Sequence, residues 1–131
     1  MKFKLINGMI ILKGFVESDQ GSQDLECVVD TGSSMTTIDT SILDRIGYGA
    51  IDGDHVKDVF TADKADKQGY TLKVKKFKTC GIELGDFKVL SYDLLDDPRY
   101  EKIDCLIGYN FLRHFKVIIN YKNQEIFFEE N

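Results

Sequence analysis

Cysteine, proline, basic charge and long apolar runs are all scarce in this chain of 131 residues. The three cysteines, Cys27, Cys80 and Cys105, are an odd number without a pairwise motif, which excludes a disulfide framework. Each lies in or beside an apolar run, so they read as buried free thiols in a reducing compartment. The one proline, Pro98, sits in the polar stretch 96–102, which reads as a loop. Seventeen basic residues against 22 acidic ones leave a net charge of -5, which argues against a nucleic-acid partner. The longest early apolar run, Met9-Ile10-Ile11-Leu12, is broken by Gly8 and Lys13. That is too short for a signal-peptide core or a membrane span, so the expectation is a cytoplasmic protein without a membrane partner. Neither a glycine repeat nor a sustained heptad is visible, which removes collagen-like and coiled-coil readings.

What is present is an ordinary globular composition, 43% hydrophobic and 30% charged. The length suits one domain over residues 1–131, with enough chain to bury a core without staples. The dominant hydrophobic period is two, with Val, Ile, Phe, Tyr and Thr in short runs between Gly, Asp and Asn. Strands are expected over 9–16, 25–29, 56–62, 70–78, 87–92, 116–120 and 125–128. A turn over 121–124 would make the last two a hairpin. Helix is scarce. Ser41 followed by Asp44 resembles a capping box, with Gly47 as the stop, and a second short helix fits 109–115. The pattern predicts one all-β domain with two short helices.

The segment Cys27-Val28-Val29-Asp30-Thr31-Gly32-Ser33-Ser34-Met35-Thr36-Thr37-Ile38 carries the chemistry. An apolar strand ends on Asp30, turns through small polar residues and resumes. The carboxylate then stands at the end of a buried strand, partly desolvated, where its ionisation is tunable. Gly32 lets backbone approach it closely, and Thr31 and Ser33 offer short hydroxyls to fix the turn. The plain alternative is an Asx turn between strands. Asp-Thr-Gly alone arises by chance in roughly a few chains per hundred of this length, at about 5–7% per residue type. Its flanks are more selective, and a second element follows. Leu106-Ile107-Gly108 is an apolar pair closed by glycine, with a short helix and then a strand behind it.

Other candidates carry less. Asp52-Gly53-Asp54-His55 invites a calcium loop, but Val56 and Lys57 stand where an oxygen ligand and glycine are required. No metal site is expected. His55 and His114 have no matched partner. Lys73, Lys75, Lys76 and Lys78 form the one basic cluster, which reads as the solvent face of a protected edge strand. Asp104 reads as a structural hydrogen-bonding residue.

Taken in order, these segments resemble the retropepsin-like aspartic proteases, the single-lobe retroviral type. The family pattern is an apolar pair, Asp-Thr-Gly-Ala/Ser, then Thr and an aliphatic residue; here it spans Val28 to Ile38. A helix, a flap hairpin (56–78), the Leu106-Ile107-Gly108 triplet, a helix and a C-terminal hairpin follow, so the resemblance covers nearly the whole chain. It implies a closed β-barrel lobe with a flap that assembles as a homodimer, because one Asp-Thr-Gly per chain supplies only one of two required carboxylates. It implies an aspartic endopeptidase acting on a peptide or protein, with no cofactor, no metal and no covalent intermediate. Asp30 would be catalytic, Thr31 would bond across the two-fold axis, and Gly32 would hold the carboxylates coplanar and touch substrate. Gly32, Ser33, Ser34 and the flap tip Thr61-Ala62-Asp63 would meet the peptide. Residues 64–69 depart from the pattern by adding a charged stretch after the tip. Phe3, Leu5, Phe127 and Phe128 would pair across the dimer or belong to the core. The rival readings are a catalytically silent peptide-binding or dimerisation module, and an unrelated small barrel for a small molecule.

Overall fold

The computed structural model describes residues 1–59 and 67–130. Asn7 and Gly8 adopt left-handed backbone, φ 51° and 79°, and turn β1 (Lys4–Ile6) back into β2 (Met9–Glu17). At the next corner the Ser18 hydroxyl accepts from the Gln20 and Gly21 amides, and β3 (Ser22–Val29) returns antiparallel to β2. Two pieces too short to show a period follow, β4 (Thr37–Asp39) and α1 (Thr40–Arg45). Asp39, not Ser41, caps α1. Its buried carboxylate accepts from the Ser41 amide and hydroxyl, so the residue read as the cap is a donor to it.

A long hairpin builds the far side. β5 (Asp54–Val59) pairs with β6 (Lys67–Thr79), and β6 pairs with β7 (Ile82–Tyr92) through a tight turn at Cys80 and Gly81. Both turn residues have positive φ, 52° and 75°, as such hairpins need. Cys80 is consequently half-buried, whereas Cys27 and Cys105 are buried as expected. The segment read as a loop around Pro98 contains two 3-10 turns, Leu94–Asp96 and Pro98–Tyr100. β8 (Cys105–Ile107), α2 (Tyr109–Leu112) and the hairpin β9 (Phe115–Asn120) with β10 (Glu125–Glu130) complete the chain. Gln124, φ 52°, closes that last hairpin within the expected turn.

Eight strands form one sheet in the order β1-β2-β3-β8-β4-β7-β6-β5, and β2 also pairs with β6. β3–β8 and β4–β7 are parallel; β4–β8 is antiparallel. β6 lies between β5 and β7 up to Thr71 and between β2 and β7 from Lys76, so Lys76 and Lys78 protect no edge, whereas Lys73 and Lys75 lie in the stretch between, which is paired to β7 alone. The hairpin β9–β10 is separate and is held to the N-terminus, with the Phe3 amide donating to the Gln124 carbonyl at 3.0 Å. Phe3 is buried and Phe128 half-buried, while Leu5 and Phe127 are exposed. The four terminal apolar residues thus divide between core and surface. Among the described residues no helix is long and apolar enough to cross a membrane.

Side chains alternate across the sheet and make two apolar clusters. The larger centres on Phe77, Phe87 and Phe111, with ring centroids 5.3–6.1 Å apart, and buries Val74, Val89, Cys27 and Ile107 with them. The smaller unites Ile11, Val28 and Leu106 with Tyr92, Leu94 and Ile103. Ile11, Val28 and Leu106 belong to one row of register partners, Ile11, Val28, Leu106, Thr37, Leu90 and Thr71, which crosses six strands.

Candidate active site

Asp30 stands immediately beyond the C-terminal end of β3, two residues past Val28 of that row and on the same face. β3 and β8 run parallel, so the Asp30 turn and the Gly108 turn leave the sheet together. The Asp30 amide donates to the Ile107 carbonyl at 3.0 Å. The chain then folds back on itself. The Gly32 amide donates to Asp30 Oδ1 at 3.0 Å, and the Ser33 amide to the Asp30 carbonyl at 3.1 Å. The Ser33 hydroxyl donates to the Met35 carbonyl at 2.7 Å. One carboxylate oxygen is therefore aimed by its own turn. Asp30 is half-buried, and Thr31, Gly32 and Ser34 are exposed beside it.

The second turn clamps the first. The Tyr109 amide donates to the Ser33 carbonyl at 2.7 Å, and the Asn110 amide to the Ser34 carbonyl at 3.3 Å. The Gly108 amide donates to the Thr36 hydroxyl at 3.1 Å. Asn110 uses both ends of its side chain. Oδ1 accepts from the Thr36 amide at 2.7 Å, and Nδ2 donates to the Lys88 carbonyl at 2.7 Å. A Cβ on Gly108 would lie 2.5 Å from the Met35 backbone, so the close approach of the two turns requires glycine there.

Leu94, Ile103 and Tyr100 come from the segment containing the 3-10 turns and cover the smaller cluster beside Asp30. Asp39 anchors that segment. Its Oδ1 accepts from the Leu94 and Leu95 amides at 2.9 and 3.2 Å. A groove of about 260 Å³ results, with Val28, Asp30 and Thr31 on its floor and Tyr100, Ile119 and Tyr121 at its sides.

Two neighbouring groups have shifted proton affinities. Hydrogen bonding to Cys105 and burial hold the Cys27 thiol well above the usual range, so it is not a nucleophile. Asp104 is half-buried, and desolvation raises its carboxyl. It accepts from the Glu26 amide at 2.9 Å, while its carbonyl accepts from the Asp39 amide, the structural role expected of it. Among the described residues no group of three or more His, Cys, Asp or Glu side chains is placed to hold a metal ion. His114 is exposed just beyond α2.

The structure brings Asp30, Thr31, Gly32, Ser33 and Ser34 into one turn. Thr61, Ala62 and Asp63 lie outside the described residues. Asn110 and Asp39 were missed by the sequence reading. Asn110 had a weak signal, a polar amide two residues past the glycine that closes the apolar pair. Asp39 had none beyond its place one residue before a helix.

The fold as a whole also occurs in solved structures. The chain is similar to a retropepsin-like aspartic protease from Rickettsia conorii at 16% identity and TM-score 0.65, over 91% of this chain and 82% of that one. It is similar to the retroviral protease-like domain of Ddi1 from Leishmania major at 13% identity and TM-score 0.58, over 92% and 87% of the two chains. These likenesses establish a retropepsin-like fold. No curated protein sequence matches. The family model described as aspartyl protease matches residues 16–111, which contain both clamped turns and the strands that deliver them, and the chain therefore belongs to the aspartyl protease family.

Proposed function

We propose that the protein is an aspartic endopeptidase whose active site forms when two copies bring their Asp30 carboxylates together. The observation that carries this reading is the aimed carboxylate. One Asp30 oxygen is fixed by the Gly32 amide inside a turn that α2 and Asn110 hold rigid. A chain has one such group, and hydrolysis of a peptide bond by water requires a base and an acid, so the site is complete only in a symmetric dimer.

Two carboxyls at van der Waals distance do not both ionise. The ionised Asp30 takes a proton from the attacking water. The protonated Asp30 of the second copy gives its proton to the carbonyl oxygen. The tetrahedral intermediate collapses as a proton passes to the leaving amine. Thr31, exposed beside Asp30, is assigned the bond across the axis by the resemblance. Gly32, Ser33 and Ser34 meet the peptide on this reading, and the resemblance assigns the same role to Thr61, Ala62 and Asp63. The β2–β6 pairing supports reading the strand ring as a closed barrel. The exposed pair Ile118 and Phe127, register partners on the C-terminal hairpin, gives the second copy an apolar contact beside Ile119 and Tyr121 of the groove. The buried free thiols Cys27 and Cys105 suit a reducing cytoplasm.

The test combines sedimentation with cleavage of a degenerate peptide pool from acid to neutral pH. The expected result is a dimer that cleaves, and an Asp30→Asn variant that dimerises with cleavage lowered by at least about a thousandfold. A protein that stays monomeric at high concentration sinks the reading. A dimer that binds peptides equally with and without Asp30, and cuts none, is the silent module instead.

A further inference from the structure

The basic strand β6 has an unexplained member. Lys75 pairs with Asp19 at 3.1 Å, and Lys76 with Glu17 and Glu83 at 3.9 and 3.6 Å. Lys78 lies over the Phe15 ring, 5.9 Å from its centroid. Lys73 makes no ion pair among the described residues. Its register partner on β7 is another lysine, Lys88, which makes none either. Both are exposed. Like charges directly opposite on adjacent strands destabilise a sheet, and one lysine at this open stretch of β6 would protect the edge without a second one opposite it on β7.

Their position gives the pair a use. Lys88 is two residues before Leu90, and Lys73 two residues after Thr71, in the register row that contains Val28 and Leu106. Asp30 is two residues past Val28. Following the strand directions through β3, β8, β4, β7 and β6, all three displacements point to the same end of the sheet. All three residues share the face that carries the smaller cluster. The two lysines line an open groove of about 430 Å³ with Thr71, Asp52 and Asp54. Asp52 is turned back on its own loop, where it accepts from the Gly49 amide at 2.7 Å. β7 is three strands from β3, about 14 Å at about 4.8 Å per strand, which an extended peptide spans in about four residues.

We infer that Lys73 and Lys88 form a distal subsite for an acidic side chain, about four residues from the scissile bond, so that the enzyme selects peptides carrying Glu or Asp there. The inference rests on the protease reading for its geometry. Two adjacent ammonium groups with no ion pair among the described residues attract a carboxylate and repel a basic side chain at the same place.

The experiment uses end-capped ten-residue peptides with an apolar centre and a single Glu or Gln moved along the chain. Cleavage is followed with wild type, Lys73→Glu and Lys73→Glu/Lys88→Glu. Binding of the same peptides is followed with Asp30→Asn, with and without the two lysine changes. Wild type is expected to prefer Glu over Gln by about fivefold at one distal position, the size of an exposed ion pair or two. The preference fades between about 0.05 and 0.5 M salt. Lys73→Glu loses most of the preference for Glu over Gln, and the double variant prefers Lys over Glu. Equal handling of Glu and Gln, or a preference that survives the double variant, overturns the inference. Cleavage without acidic preference leaves the protease reading standing alone. Acidic preference in binding without cleavage does the reverse.

Discussion

Among the described residues the larger cluster gathers 21 buried residues, drawn from β2, β3, β4, β6, β7, β8, β10, both helices and the N-terminus, while the smaller gathers six. They share strands and even neighbouring residues, since Cys105 and Ile107 face one way and Leu106 the other. What differs is the covering. The larger cluster is closed by α1, α2 and the C-terminal hairpin, with Phe111 of α2 touching four other rings. The smaller is roofed only by Leu94, Ile103 and Tyr100, on a segment that Asp39 ties down. One face of the sheet therefore carries most of the buried apolar area and hence most of the stability. The other keeps a thin roof beside Asp30, where a groove can form.

Truncations on the two faces separate these duties most sharply. Phe111→Ala is expected to cost about 3–5 kcal/mol, and Leu106→Ala about 2–3 kcal/mol, at the lower end for a buried leucine because one side of its site can relax. Urea unfolding measures both. Peptide cleavage under conditions where each variant remains folded then reverses their order. Leu106→Ala loses more activity than Phe111→Ala, because Leu106 sits on the Asp30 face. Equal activity per folded molecule would mean that the smaller cluster is ordinary core.

Asn110 joins the two faces, and its expected effect is smaller. Asn110→Ala leaves the fully buried Thr36 without an acceptor for its amide, at a cost of about 1–3 kcal/mol. The turn that aims Asp30 is loosened with it. kcat is expected to fall by more than KM rises, because the loss is in positioning and not in peptide contact. Asn110→Asp keeps an acceptor for Thr36 and gives up the bond to Lys88, so it recovers part of kcat. A variant that loses stability while its folded fraction cleaves normally would make Asn110 a structural clamp only.

The legible part of this molecule was the part written in local pattern. β2, β3, β7, β9 and β10 are six residues or longer, enough for an apolar run between turns to be read, and the turn at 121–124 uses residues suited to its backbone. The Asp30 turn was legible because its bonds close within it, from Gly32 to Asp30 and from Ser33 to Met35. β4 and β8 have three residues each, too few to display a period, and they exist because each fills a slot between neighbours. Asp39 as a cap was misread because Ser41 and Asp44 imitate the local signature. Its other partners, Leu94 and Leu95, are more than fifty residues away. Asn110 lies 74 residues from Thr36, and no window along the chain contains both. Lys76 and Lys78 were read as edge residues because the β2 strand that encloses them lies about sixty residues away in the chain.

The smallest expected effect tests where the two faces meet. Asp104 precedes Cys105 of one cluster and Leu106 of the other. Burial is the largest influence on its carboxyl and raises it, opposed by the Glu26 amide, which favours the ionised form. A carboxyl that is easier to protonate in the folded than in the unfolded chain stabilises the fold at low pH. That contribution is complete below the ordinary value of 3.8 and is lost as pH rises above it. Asp104→Asn keeps an oxygen for the Glu26 amide and carries no charge. At neutral pH it is therefore expected to be as stable as wild type or slightly more so, by less than about 1 kcal/mol given the half-exposed site. As pH falls toward 3.8 the advantage should disappear, and urea midpoints of the two proteins taken at several pH values measure this directly. An advantage for Asn that grows on acidification would mean that the Glu26 amide outweighs burial. Asp104 would then act as a fixed anion bracing β3 against β8, and its charge would belong to the machinery that aims Asp30.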